Sequence, residues 1–176
     1  MLDLRRQAAG HRLELPHAHL FADVRATWHG RMVNEYASAE VFSGLATQIR
    51  AVGLGEPLAI ECEGFAAEER HHGILCGAVV QAAGGSALAH DEEREVYPMH
   101  EDATPIEALL RNLISVCCLS ETAAVALIGA ERLRMPDGAL RELMTSIYAD
   151  EVGHARFGWK LLAELSPSVD PATKRR

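Results

Sequence analysis

Two stretches of this chain have the spacing of a metal-binding pair. Glu69-Arg70-His71-His72 and Glu151-Val152-Gly153-His154 each place an imidazole three residues after a carboxylate. On a helix such residues share a face, so both side chains can reach one cation. The same spacing also occurs at Glu14/His17 and Glu68/His71. The first contains Pro16 and lies where no helical period is visible. The second overlaps Glu69/His72. What sets Glu69/His72 and Glu151/His154 apart is that they lie on separate helical stretches, in line with apolar stripes.

Two further carboxylates sit inside apolar stripes. Glu35 shares its face with Trp28, Met32, Ala39, Phe42 and Ile49. Glu40 is the alternative to Glu35, although its face carries Val33, Tyr36, Ser43 and Thr47. Glu121 has no rival in the middle of its helix. Glu131 stands near the end, beside Arg132 and Arg134, and reads as a solvated residue. An ionised carboxylate in a core needs a partner charge or a metal. The inner faces hold almost no Lys or Arg. Two divalent cations would balance four carboxylates, so Glu35, Glu69, His72, Glu121, Glu151 and His154 are the candidate metal and catalytic residues.

A ligating imidazole usually donates its other N–H to a carboxylate or carbonyl. Glu68 and Asp150 each precede a candidate Glu and can reach a histidine on a neighbouring helix. Tyr148, one turn before Glu151, is a candidate to hydrogen-bond a ligand or carry an electron, with a plain core position as the simpler reading.

These residues need helices to position them. Apolar residues recur at three- and four-residue steps over residues 27–52, stopped by Gly53 and Gly55. Pro57 opens a second helix to about residue 83. Residues 84–104 are polar and irregular, including His90-Asp91-Glu92-Glu93 and His100. A connection of that length needs a reason, and a crossover along a helical bundle supplies one. A third helix covers 105–135, with Thr104 as candidate N-cap. Pro136-Asp137-Gly138 makes a turn, and the fourth helix covers 139–165. Residues 1–24 read as a loop or a short leading helix.

Composition agrees with this. The chain has 176 residues, 48% hydrophobic and 5% aromatic, rich in Ala and Leu. That suits a single all-α domain with its core over residues 27–165. The net charge of -8 argues against nucleic acid and anionic lipid as partners. No run of about 20 consecutive apolar residues marks a membrane span. The first 20 residues carry charges and a proline with no apolar signal core, which points to a cytoplasmic protein. Cys62, Cys76, Cys117 and Cys118 form no C-x-x-C pair and read as small core residues.

Two helices bearing Glu-x-x-His and two bearing a lone Glu are the ligand pattern of di-iron and di-manganese carboxylate bundles. On these motifs the chain resembles the ferritin-like superfamily over residues 27–165, with bacterioferritin and the helical part of rubrerythrin as the nearest likenesses. The resemblance implies an antiparallel four-helix bundle with a long crossover between helices two and three. It also implies two iron ions, with Mn/Fe or Mn/Mn as alternatives, bridged by Glu69 and Glu151 and capped by Glu35 and Glu121. Two departures are visible. Arg70 stands where bacterioferritin has its haem-binding Met, so no haem is expected. The C-x-x-C iron domain of rubrerythrin is missing from this sequence.

The leading functional expectation is a di-iron oxidoreductase that activates O2 or peroxide on a small organic substrate, its electron donor left open. A ferroxidase or iron store acting on Fe(II) is the alternative. A non-catalytic helical scaffold is the third reading. A homo-oligomer, dimer or larger, is expected in each case.

Overall fold

The computed structural model describes residues 1–90 and 97–175. The protein is mainly helical. In chain order it comprises β1 (Leu2–Asp3), α1 (Arg5–Ala8), α2 (Phe21–Val52), α3 (Glu56–Ala82), β2 (Leu88–Ala89), α4 (Pro105–Asn112), α5 (Glu121–Arg134) and α6 (Ala139–Leu165). A π-helix, Leu113–Ser120, joins α4 to α5, so that 105–134 is one continuous helix.

The N-terminal segment is more ordered than its sequence suggests. β1 pairs antiparallel with β2, placing Leu2 opposite Ala89 and Asp3 opposite Leu88. Leu2, Leu4 and Ala8 are buried, and α1 packs on α3. α2 starts at Phe21, six residues before the expected start at 27. Burial of this segment's few apolar side chains, rather than local periodicity, holds it in place.

α2 and α3 form the closest pair. A Cβ at Gly73 would fall 2.9 Å from the Cβ of Tyr36 and 3.2 Å from the Met32 carbonyl oxygen, so only hydrogen fits there. Arg25 donates to the Ala83 carbonyl at 2.8 Å. Residues early in α2 thus meet residues late in α3, and the two run in opposite directions. Gly53 closes α2 in the left-handed region, with φ of 77°, and Leu54 N–H bonds back to the Ile49 carbonyl.

The second packed pair is α6 against the π-helix and α5. A Cβ at Gly158 would lie 2.5 Å from the Cβ of Cys117, so α6 touches the π-helix almost backbone to backbone. The two pairs join through α2 against α4, α3 against α6, and an ion pair at 2.5 Å between Arg31 and Glu131. Glu131 is therefore bridged to α2, not simply solvated.

Residues following the second helix also differ from expectation. Asp91, Glu92 and Glu93 lie outside the described residues. Tyr97 packs against Gly44, and its hydroxyl donates to Gln48 Oε1 at 2.8 Å. Asn112 donates to the same oxygen at 3.1 Å and to the Pro98 carbonyl at 2.8 Å. These groups fasten the end of the connection to α2 and α4. Thr104 occupies the N-cap position of α4 but makes no side-chain capping bond.

Two apolar clusters fill the interior. One includes Trp28, Met32, Val79, Met144 and Ile147. The other includes Phe42, Leu45, Leu109, Leu113 and Phe157. All four cysteines are free and buried. No run of about 20 consecutive apolar residues occurs, but one helix is apolar over much of its length. The continuous helix, 30 residues with an 18-residue stretch of mean hydropathy 1.9, is long and apolar enough to cross a bilayer by length and composition alone. Glu107, Asn112 and Glu121 on this helix are nevertheless buried, whereas Arg111, Glu131, Arg132 and Arg134 reach the surface in part or fully.

Candidate metal centre

Each apolar stripe is interrupted by acid or imidazole at one level of the interior, between the two clusters. Glu69, His72, Glu151 and His154 are 0–3% exposed, and Glu121 is 7% exposed. Burying so many ionisable groups is severely unfavourable unless they are paired or neutralised.

The structure brings the six candidates together in two overlapping groups. Oxygen and nitrogen atoms of Glu35, Glu69, His72 and Glu151 all lie within 4.8 Å of one another. The same holds for Glu69, Glu121, Glu151 and His154. Glu69 and Glu151 belong to both groups. Glu35 and Glu121 stand at the two edges, with side chains 15% and 10% exposed, against 2–3% for the shared pair. Glu40 is exposed and belongs to neither group.

The orientation of the histidines fixes what they offer. His72 Nε2 lies 3.0 Å from Asp150 Oδ2, and His154 Nε2 lies 2.9 Å from Glu68 Oε2. Each carboxylate accepts from the outer ring nitrogen. The inner nitrogens, His72 Nδ1 and His154 Nδ1, are buried without a hydrogen-bond partner. His72 Nδ1 stands 3.4 Å from Glu151, 3.8 Å from Glu35 and 3.9 Å from Glu69. His154 Nδ1 stands 3.2 Å from Glu69, 3.6 Å from Glu151 and 3.7 Å from Glu121. A lone pair held among carboxylate oxygens, with the other nitrogen anchored outside, is the arrangement of a ligating imidazole. The group can hold a metal ion. The mixed oxygen and imidazole donors suit a first-row transition metal better than calcium or magnesium.

Without a cation, protons must balance the charge. Burial, reinforced by Glu69 and Glu151, pushes Glu35 up to about 8. Burial likewise raises Glu121 to about 8 and Glu69 above its ordinary value. Burial opposes charge on the histidines too, but the acceptors around them outweigh it. Glu151 and Asp150 lift His72 to about 9, and Glu121, Glu151, Glu69 and Glu68 lift His154 to about 12. Glu151 is held below its usual range despite burial, because His154 and His72 both face it. Cations entering the group would displace these protons.

No known protein family, curated protein or solved structure matches this chain. The case for the centre rests on its own geometry.

The rival pair Glu68/His71 separates. Glu68 serves His154 from outside, while His71 packs edge-on against His11 with ring centroids 5.6 Å apart. Tyr148 packs against Gly129, and its ring faces the Arg132 guanidinium at 5.0 Å. It also packs against the apolar cluster around Met144 and Ile147.

Sequence reading did not assign the aromatic wall. Phe65 and Phe42 lie with ring centroids 4.6 Å and 4.9 Å from that of His154. Phe157 adjoins Phe65 at 5.3 Å. Phe65 falls one turn before Glu69 on the same face, a signal that was available but indistinguishable from ordinary core. A cleft of about 870 Å³ is lined by Phe65 together with Thr122, Val125, Val152, Arg156 and Trp159.

Proposed function

We propose that this chain is a ferritin-like protein in which α2, α3, the α4–α5 helix and α6 form an antiparallel four-helix bundle, with residues 84–104 as the long crossover. In this reading the buried cluster holds two iron ions, Mn/Fe or Mn/Mn being the alternative pairs. The protein acts as an oxidoreductase that activates O2 or peroxide on a small organic substrate. One observation carries the reading. Two buried imidazole nitrogens without partners face two carboxylates common to both donor groups.

The fit of donors to ions is symmetric. His72 and Glu35 would serve one ion and His154 and Glu121 the other, with Glu69 and Glu151 between them. Iron so held supplies electrons for O–O bond cleavage. The chain's own residues do the rest. Asp150 and Glu68 keep a proton on each outer Nε2, which directs each Nδ1 lone pair inward. Phe42 and Phe65 exclude water around His154 and lower the local dielectric. The edge positions of Glu35 and Glu121 leave them the freest to change their hold on an ion. The mainly apolar cleft lined by Phe65 supports an organic substrate over an inorganic one.

The test combines elemental analysis of aerobically purified protein with O2 uptake. The proposal expects close to two metal ions per chain, lost when Glu69 and Glu151 are both replaced by Ala with helicity retained. O2 uptake should continue through many turnovers with an organic reductant or substrate. Uptake that stops in fixed ratio to added Fe(II) would replace this reading by iron oxidation and storage. Metal content unaltered by the double substitution would remove the centre altogether.

A further inference from the structure

None of the six donors lines the cleft, yet its walls come from their immediate neighbours in the chain. Thr122 follows Glu121, and Gly153 and Ala155 flank His154. Phe65 stands one turn before Glu69 on α3. Its ring centroid lies 4.6 Å from that of His154, with the two planes at 57°. Among the described residues that line the cleft, Phe65 alone makes a ring contact with a donor. The bonds from His72 to Asp150 and from His154 to Glu68 set α3 antiparallel to α6. That register brings Phe65 level with Phe157, which meets it edge-on at 5.3 Å.

We infer that Phe65 is the gate through which an apolar organic molecule held in the cleft reaches the ions, a step that rests on the metal-centre reading above. Two phenyl rings touch His154, and their freedom differs. Phe42 is fully buried in the second apolar cluster, so it has packed core on every side. Phe65 is only partly buried against that cluster, and the space it borders is the cleft. Rotation about its Cα–Cβ bond carries the ring from one staggered position to another. Turned toward the cleft, the ring meets space instead of packed core. Contacts with His154, Phe42 and Phe157 hold it in place, and all three are aromatic packing with no hydrogen bond. Such contacts favour the closed position without locking it.

The gate selects by size and polarity. The side chains of Glu35 and Glu121 are 15% and 10% exposed, which leaves the edges of the centre open to a very small solute. A molecule with a phenyl-sized body is too large for those edges, whereas the cleft of about 870 Å³ has the volume of an ordinary ligand site. The charged residues of its lining, Glu61, Arg156, Lys160 and Glu164, are exposed, while Phe157 and Leu161 are buried. Thr122 offers little to a polar ligand. Its hydroxyl donates to the Cys118 carbonyl at 2.5 Å and accepts from the Trp159 indole N–H at 3.0 Å. A ring that moves only for an apolar body keeps bulk water off His154 until that body arrives.

Stopped-flow absorption of the full-length, cobalt-loaded protein tests this, with phenylimidazole as the bulky ligand and azide as the small one. Phe65→Ala should speed phenylimidazole association by about 10-fold or more, and Phe65→Leu, a milder change that keeps an apolar filling, by a smaller factor. Val125→Trp, which narrows the cleft from α5, should slow it by about 10-fold or more. Azide should associate in all three variants within a factor of about three of the wild-type rate, because it does not need the gate. A phenylimidazole rate indifferent to Phe65→Leu or to Val125→Trp would overturn the gate, as would a cobalt spectrum that never responds to phenylimidazole. Azide accelerating in step with phenylimidazole would also overturn it, since a merely loosened core admits both. A protein that takes up no cobalt would instead remove the metal centre, and the gate with it.

Discussion

Glu68 on α3 accepts from His154 on α6, Oε2 to Nε2 at 2.9 Å, and Asp150 on α6 does the same for His72 on α3 at 3.0 Å. Each motif helix thus supplies the acid that orients the other's imidazole. Replacing Asp150 or Glu68 by Ala removes the acceptor while leaving all six inner donors. Metal affinity should fall by about 10- to 100-fold, with helicity unchanged. Competition with a chelator of known affinity measures this. An affinity within a factor of two of wild type for both variants would mean that the acids do not orient the rings.

The two donor groups share Glu69 and Glu151 but not Glu35 or Glu121. Stoichiometry should therefore depend on which carboxylate is lost. Glu121→Ala is expected to reduce metal content to half of wild type or less, and Glu35→Ala to do the same from the other edge. Glu69→Ala should deplete both positions. Elemental analysis of the three variants, each checked by circular dichroism, decides it. A Glu69→Ala protein that retains as much metal as either edge variant, at about half of wild type, would contradict the sharing of two carboxylates.

The metal-free protein should lose stability as pH rises. Glu35 and Glu121 have folded values of about 8, above the ordinary 4.5. Their contribution is complete below 4.5 and lost as pH climbs through 8. His72, raised from 6.5 to about 9, adds stability below 6.5 that disappears by 9. All three slopes have the same sign between pH 5 and 9. The depressed Glu151 acts only at more acidic pH, where its stabilisation is lost as pH falls. The melting temperature of the metal-free protein should fall across this window. Metal affinity should rise over the same window, since binding displaces protons. A melting temperature that is flat from pH 5 to 9 would show that these carboxyls are not neutral when folded.

Much of the centre could be read directly from the chain. Glu69/His72, Glu151/His154, Glu35 and Glu121 stand out because a charged residue within an apolar helical stripe is conspicuous, and the four long helical stretches follow from the same periodicity. What escaped is what periodicity does not encode. β1 and β2 have two residues each, too few to show alternation. The π-helix is apolar throughout, so its composition matches that of an ordinary helix. The Gln48–Asn112 bond joins residues 64 apart, and neither is unusual alone. The exposure of Leu119, Leu127 and Leu133 escaped for the opposite reason. Apolar residues around the whole helix look like core until packing shows which side is covered.

The π-helix ends immediately before Glu121, and Ser120 Oγ donates to the Ser115 carbonyl five residues back. π-turns often re-aim a side chain at a functional site. Deleting Val116 would restore ordinary helical register and turn Glu121 about 100° about the axis relative to Leu109. The expected result is a folded protein with at most half the wild-type metal content. Full metal content in the deletion variant would show that the π-helix plays no part in aiming Glu121.

Phe42 is fully buried, touching both His154 and Phe65. Phe42→Ala should destabilise the protein by about 3–5 kcal/mol through the cavity it leaves. Water entering beside His154 should also alter the absorption spectrum of the cobalt-substituted centre. Denaturant titration and that spectrum provide separate readouts. An unaltered spectrum would place the aromatic wall outside the ion's environment.

The six donors divide evenly along the chain. Residues 1–90 contribute Glu35, Glu69 and His72, and residues 97–175 contribute Glu121, Glu151 and His154. Neither half owns a complete set, since the first group borrows Glu151 and the second borrows Glu69. A cation bound here acts as a rivet between two separately encoded pieces. Expressed as two polypeptides, these fragments would need the ion to find and keep each other. The metal would then be as much a reagent of assembly as of chemistry.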